Sequence, residues 1–80
     1  MNIFFSKTSL KYLTKLEKQV RANIIKAIEG LPDKGDIRMM KGQSIQNIYR
    51  LRIGKYRVLY VWEENTVKIL DIDTRGDIYK

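Results

Sequence analysis

Residues 49–60 read YRLRIGKYRVLY. Gly54-Lys55 suits a two-residue turn between two runs of β-branched, aromatic and aliphatic residues, the pattern of a β-hairpin. With that turn, Ile53 sits across from Tyr56, Arg52 from Arg57, Leu51 from Val58 and Arg50 from Leu59. Side chains alternate between the faces of a strand. One face therefore collects Tyr49, Leu51, Ile53, Tyr56, Val58, Tyr60 and Trp62, a core surface. The other collects Arg50, Arg52 and Arg57. Like charges directly opposite one another cost from a few tenths to about 1 kcal/mol. A sheet shaped by stability alone would place Glu or Thr there. Guanidinium forks grouped on a rigid sheet are what a phosphate or carboxylate ligand requires, since each can donate two hydrogen bonds. The competing reading is that the arginines pair internally with Asp71, Asp73 or Asp77 and serve only the fold.

The rest of the chain completes an α+β domain spanning residues 1–80. Asn2–Ser6 is a short β-like opening, after which Ser6 or Thr8 can cap a helix. Leu10, Tyr12, Leu13 and Leu16, then Val20, Ile24, Ile25, Ala27, Ile28 and Leu31, recur at helical spacing. Thr8–Gly30 reads either as one long helix or as a pair folded back near Leu16–Lys18, and Gly30-Leu31-Pro32 stops it. Residues 33–47, DKGDIRMMKGQSIQN, read as loop. Strands are expected at Ile48–Ile53, Tyr56–Glu63 and Thr66–Thr74, with Glu64-Asn65 as the second tight turn. The expected layout is an N-terminal strand and helical hairpin packed on a small, mainly antiparallel sheet, in the order β-α-α-β-β-β.

Composition narrows the function. The 80 residues contain no cysteine and no histidine, against disulfides, thiolate or imidazole zinc sites and histidine acid–base chemistry. No metal or cofactor is expected. Nothing resembles a signal peptide or a membrane span, and a soluble cytoplasmic protein without membrane association is expected. Sixteen Lys and Arg against nine Asp and Glu give a formal net charge of +7. The excess is spread through the chain, which suggests a folded surface attractive to phosphate or to an acidic protein, with plain solubility as the alternative. Lys7, Lys11, Lys15, Lys18, Arg21 and Lys26 read singly as a solvated helix face. The ending DTRGDIYK adds Arg75 and, four residues later, Tyr79.

Taken together, LTKLEKQVRANIIKAIEGL, DIRMMKG, YRLRIGKYRVLYVW and DTRGDIYK resemble the RelE/ParE superfamily of toxins from toxin–antitoxin pairs, in its RelE-like branch. The hairpin, with L-R-x-G-x-Y-R leading into a strand, carries the most specific part of the likeness. The resemblance implies a ribosome-dependent mRNA endoribonuclease, which needs no metal and uses the ribose 2′-hydroxyl to form a 2′,3′-cyclic phosphate, so inhibiting translation. It implies catalytic roles for Arg57, Arg50, Tyr79 and Arg75, with Arg52, Lys41 and Lys55 contacting RNA. Arginine stays protonated and stabilises charge rather than acting as a base. A tyrosine, with an ordinary pKa of about 10, needs positive neighbours to become one. Two departures stand out: Asp73-Thr74-Arg75 puts a carboxylate where relatives carry a basic residue, and Ile48 replaces a basic residue. The implied partners are an acidic antitoxin, the ribosome with bound mRNA, and operator DNA reached only through the antitoxin. A ParE-like inhibitor of DNA gyrase, or a binding module without catalysis, are the alternatives.

Overall fold

The computed structural model describes residues 2–31, 33–39 and 48–74. Five strands and two helices follow in the order β1 (Asn2–Phe5), α1 (Lys7–Thr14), α2 (Lys18–Glu29), β2 (Asp36–Met39), β3 (Ile48–Ile53), β4 (Tyr56–Glu63) and β5 (Thr66–Thr74). They form one sheet of order β1-β5-β4-β3-β2. β1 runs parallel to β5, and every other neighbouring pair is antiparallel. The α+β class and the three C-terminal strands agree with the sequence expectation.

Local chemistry accounts for the helical region. Ser6 caps α1: its Oγ accepts the Ser9 backbone N–H at 3.1 Å and donates to the Leu70 carbonyl at 2.7 Å. One contact thus satisfies an orphan helix donor, while the other ties the helix start to β5. The helix ends at Thr14, and α2 restarts at Lys18, so the two-helix alternative holds. Ser9 and Leu13 of α1, and Ile24 and Ile28 of α2, are buried at i, i+4 spacing against the sheet. There Leu13, Ile24 and Ile28 meet Leu51, Val58, Tyr60, Val67, Ile69 and Ile72 in a single core. Trp62, expected with that core, lies at its margin and is 37% exposed.

The loop reading of residues 33–47 needs correction at Asp36–Met39, which pairs with β3 as an edge strand. Gly35 makes the entry to it: its φ is +118°, and a Cβ there would lie 2.5 Å from Leu51 Cδ1. No other residue type fits both constraints. The strand is four residues long and mostly exposed. It therefore lacks the apolar alternation that marks a strand in sequence.

Candidate anion-binding face

The hairpin forms in the expected register, with Arg50 opposite Leu59, Leu51 opposite Val58, Arg52 opposite Arg57 and Ile53 opposite Tyr56. Gly54 turns it with φ +57°. The helices cover the face carrying Leu51, Val58 and Tyr60, so Arg50, Arg52 and Arg57 share the opposite face. β2 adds a fourth arginine that sequence reasoning missed. Arg38 pairs directly with Arg50 and, by alternation, lies on the same face.

The face is organised in cross-strand rows. The first runs Asp36, Arg52, Arg57, Asp73 across β2, β3, β4 and β5. Each arginine meets its own outer carboxylate: Arg52 Nε lies 3.4 Å from Asp36 Oδ2, and Arg57 Nε lies 3.5 Å from Asp73 Oδ1. Both are ion pairs longer than a closed charge-assisted hydrogen bond of about 2.7–2.9 Å, and neither Nε has a hydrogen-bond partner among the described residues. These carboxylates offset the repulsion between Arg52 and Arg57, so internal pairing is real for two of the three hairpin arginines.

The second row differs. It runs Arg38, Arg50, Leu59, Asp71. The acid of this row, Asp71, is separated from Arg50 by Leu59, and its Oδ1 accepts the Ile72 backbone N–H at 2.9 Å. Arg50 is only 9% exposed, and its Nε and Nη2 are buried with no hydrogen-bond partner among the described residues. A guanidinium so placed is costly unless an anion compensates it. Beyond this row come Ile48 and Val61, both buried, with the exposed Lys68 across from Val61 on β5.

Lys55 stands apart from the cluster. Its Nζ lies 5.5 Å from the centre of the Tyr56 ring. With Val20, Asn23, Ile24, Ile53 and Tyr56 it lines a cleft of about 210 Å³ on the helix side of the hairpin. A second cleft, about 330 Å³, lies between α1 and the end of β5. Neither cleft includes an arginine of the face. Lys41, Arg75 and Tyr79 lie outside the described residues. Among the core aromatics, Tyr60 has its hydroxyl pushed up to about 12 by burial, with the neighbouring Tyr49 adding to the rise. It faces the helices and has no part in the arginine face.

The family described as "ParE toxin of type II toxin-antitoxin system, parDE" matches residues 3–79. The chain belongs to the RelE/ParE superfamily of toxins. A curated relative from Methanocaldococcus jannaschii, named "Putative toxin RelE1", is 35% identical over 75 residues, covering 91% of this chain and 76% of its own. The RelB–RelE antitoxin–toxin complex from Methanococcus jannaschii contains a chain that superposes with a TM-score of 0.77 at 30% identity, covering 95% and 94% of the two chains. The RelE–RelB complex from Pyrococcus horikoshii OT3 gives 0.74 at 26% identity, covering 94% of each chain. This chain is thus a RelE-like toxin of a toxin–antitoxin pair.

Proposed function

We propose that this toxin is an endoribonuclease that cleaves mRNA on the ribosome. The observation that carries the reading is Arg50, a buried guanidinium with unfilled donors beside Arg38 and one row from Arg57. In the proposed reaction the ribose 2′-oxygen attacks the adjacent phosphorus, and the O2′–P bond forms as the P–O5′ bond breaks. The 2′-proton passes to a base and a proton reaches the departing 5′-oxygen, leaving a 2′,3′-cyclic phosphate. Arg57 and Arg50 stabilise the charge that builds on the phosphoryl oxygens, the term that positioned cations supply best. Tyr79 is proposed as the base and Arg75 as a further cation, while Arg52 and Lys41 hold the RNA backbone. Lys55, turned toward the helices, is the weakest of the proposed RNA contacts. No metal enters the mechanism.

Arginines fixed on a sheet do not by themselves hold a flexible RNA strand in line for attack. Fixing that geometry is worth several orders of magnitude in rate, and in this reading the ribosome supplies it by gripping the mRNA. The antitoxin, an acidic chain, is proposed to cover the basic surface and order as it binds.

A second reading, inhibition of DNA gyrase, draws on the family description and on the internal pairing of Arg52 and Arg57. Expression from a controlled promoter separates the two. Prompt loss of protein synthesis with mRNA cut at ribosome-bound codons is expected, and Arg57→Ala should abolish cutting while the domain stays folded. Intact mRNA with failing DNA synthesis would establish the gyrase reading instead, and an absence of any growth effect would leave only antitoxin binding.

A further inference from the structure

β5 contains one residue more than its partner. Leu59 pairs with Asp71 but Tyr60 pairs with Ile69, so Leu70 is the extra residue of a β-bulge. Before the bulge Val67 and Ile69 enter the core, and after it Ile72 does. Strict alternation from Ile69 would have driven Asp71 and Asp73 into that core, where an unpaired carboxylate is prohibitively costly. The extra residue turns both to the arginine face. The bulge is anchored from outside by Ser6, whose N–H donates to the Ile69 carbonyl at 2.9 Å and whose Oγ donates to the Leu70 carbonyl at 2.7 Å.

Among the described residues the result bears on Arg57. Asp73 arrives opposite it with Oδ1 3.5 Å from Nε, an ion-pair contact rather than a hydrogen bond between these two atoms, and the two side chains are 29% and 11% exposed. A carboxylate at Nε lies along one edge of the planar guanidinium and leaves the distal nitrogens for a second anion. On the other side of the row, Asp36 meets Arg52 through the same atom. Each arginine has its acid on its own outer strand, so neither carboxylate stands between the two.

We propose that Asp73, delivered by the bulge at Leu70, is a positioning residue that holds Arg57 by Nε so that its distal nitrogens face the phosphoryl group undergoing transfer. This rests on the nuclease reading. Asp73 touches neither substrate nor reacting atoms; its contribution is to fix the guanidinium plane before RNA arrives, as preorganised stabilisation requires.

The test uses the whole toxin with Asp73→Asn and Asp73→Glu, read in two ways. In ¹H–¹⁵N spectra the Arg57 Nε–H signal, assigned by its loss in Arg57→Ala, should shift and exchange faster in Asp73→Asn while the Arg52 signal stays. In single-turnover cleavage of ribosome-bound mRNA, Asp73→Asn should slow the saturated rate by about 10–100-fold, the size expected when a catalytic group is misplaced. The half-saturating concentration should change by less than about three-fold, since the loss belongs to the transition state. Asp73→Glu, which keeps the charge, should recover most of the rate. An Asp73→Asn toxin that cuts as fast as the parent, or faster, overturns the proposal, and so does an unmoved Nε–H signal. A parent toxin that cuts no ribosome-bound mRNA overturns the nuclease reading itself, and the positioning role with it; the Nε–H signal then still reports whether the pair forms.

Discussion

The hairpin β3–β4 has two faces built to opposite rules. Toward the helices, Leu51, Val58 and Tyr60 are buried among aliphatic side chains, and Tyr49 stacks on Tyr60 with ring centres 5.5 Å apart. Area removed from water stabilises that side, at roughly 25 cal/mol per Å². On the other side, with Arg38 of β2 added, four arginines stand in two directly opposed pairs, and among the described residues the ion pairs with carboxylates lie in the row nearer the turn. One face holds the molecule together; the other tolerates charges that a purely structural sheet would not keep. The same twelve residues serve both ends because strand alternation keeps the two sets of side chains apart.

If that division is correct, substitutions on the two faces should break different things. The largest loss of stability is expected on the helix side. Leu51→Ala removes a fully buried side chain that packs over Gly35 and should cost about 2–5 kcal/mol in denaturant unfolding, leaving any remaining folded toxin able to bind anions. Tyr60 gives the next largest effect. Its pKa is raised to about 12 from an ordinary 10.0. The unfolded chain therefore ionises first as pH climbs, so stability is intact below about pH 10 and falls between about 10 and 12, by up to about 3 kcal/mol. Tyr60→Phe should flatten that part of the curve, and a parent and variant with the same alkaline slope would show the hydroxyl to be solvated. The smallest effect belongs to the rim of the arginine face. Arg38→Ala should leave stability unchanged within about 0.5 kcal/mol. It should weaken RNA binding modestly and lower the slope of log affinity against log salt by about one. An unchanged slope would remove Arg38 from the binding face.

Much of this organisation was legible in the sequence. The hairpin register follows from Gly54-Lys55 and from the alternation on either side, and it correctly placed Arg50, Arg52 and Arg57 on one face. The bounds of β3, β4 and β5 followed in the same way. β2 did not, because an exposed four-residue edge strand carries no periodic apolar signal. With it went Arg38 and the pairing of Arg52 with Asp36. The bulge left a trace that went unread: Val67 and Ile69 share one parity, Ile72 the other, and that break marks the extra residue. Without it, no spacing rule predicts that Asp73 reaches Arg57. The departure at Asp73, legible in the sequence, places its Oδ1 3.5 Å from Arg57 Nε.

Arg50→Met tests most directly whether charge on this face is kept for a ligand. The substitution keeps an unbranched, flexible stem, though a shorter one, and removes a buried cation whose cross-strand neighbours are Arg38 and Leu59. Unfolding and cleavage of ribosome-bound mRNA should be measured on the same preparation. Equal or greater stability with cleavage reduced at least about 100-fold is the expected result, since apolar replacement of buried charge is often neutral or stabilising. A variant that unfolds more readily yet cuts mRNA as well as the parent would contradict it, and Arg50 would then belong to the fold alone.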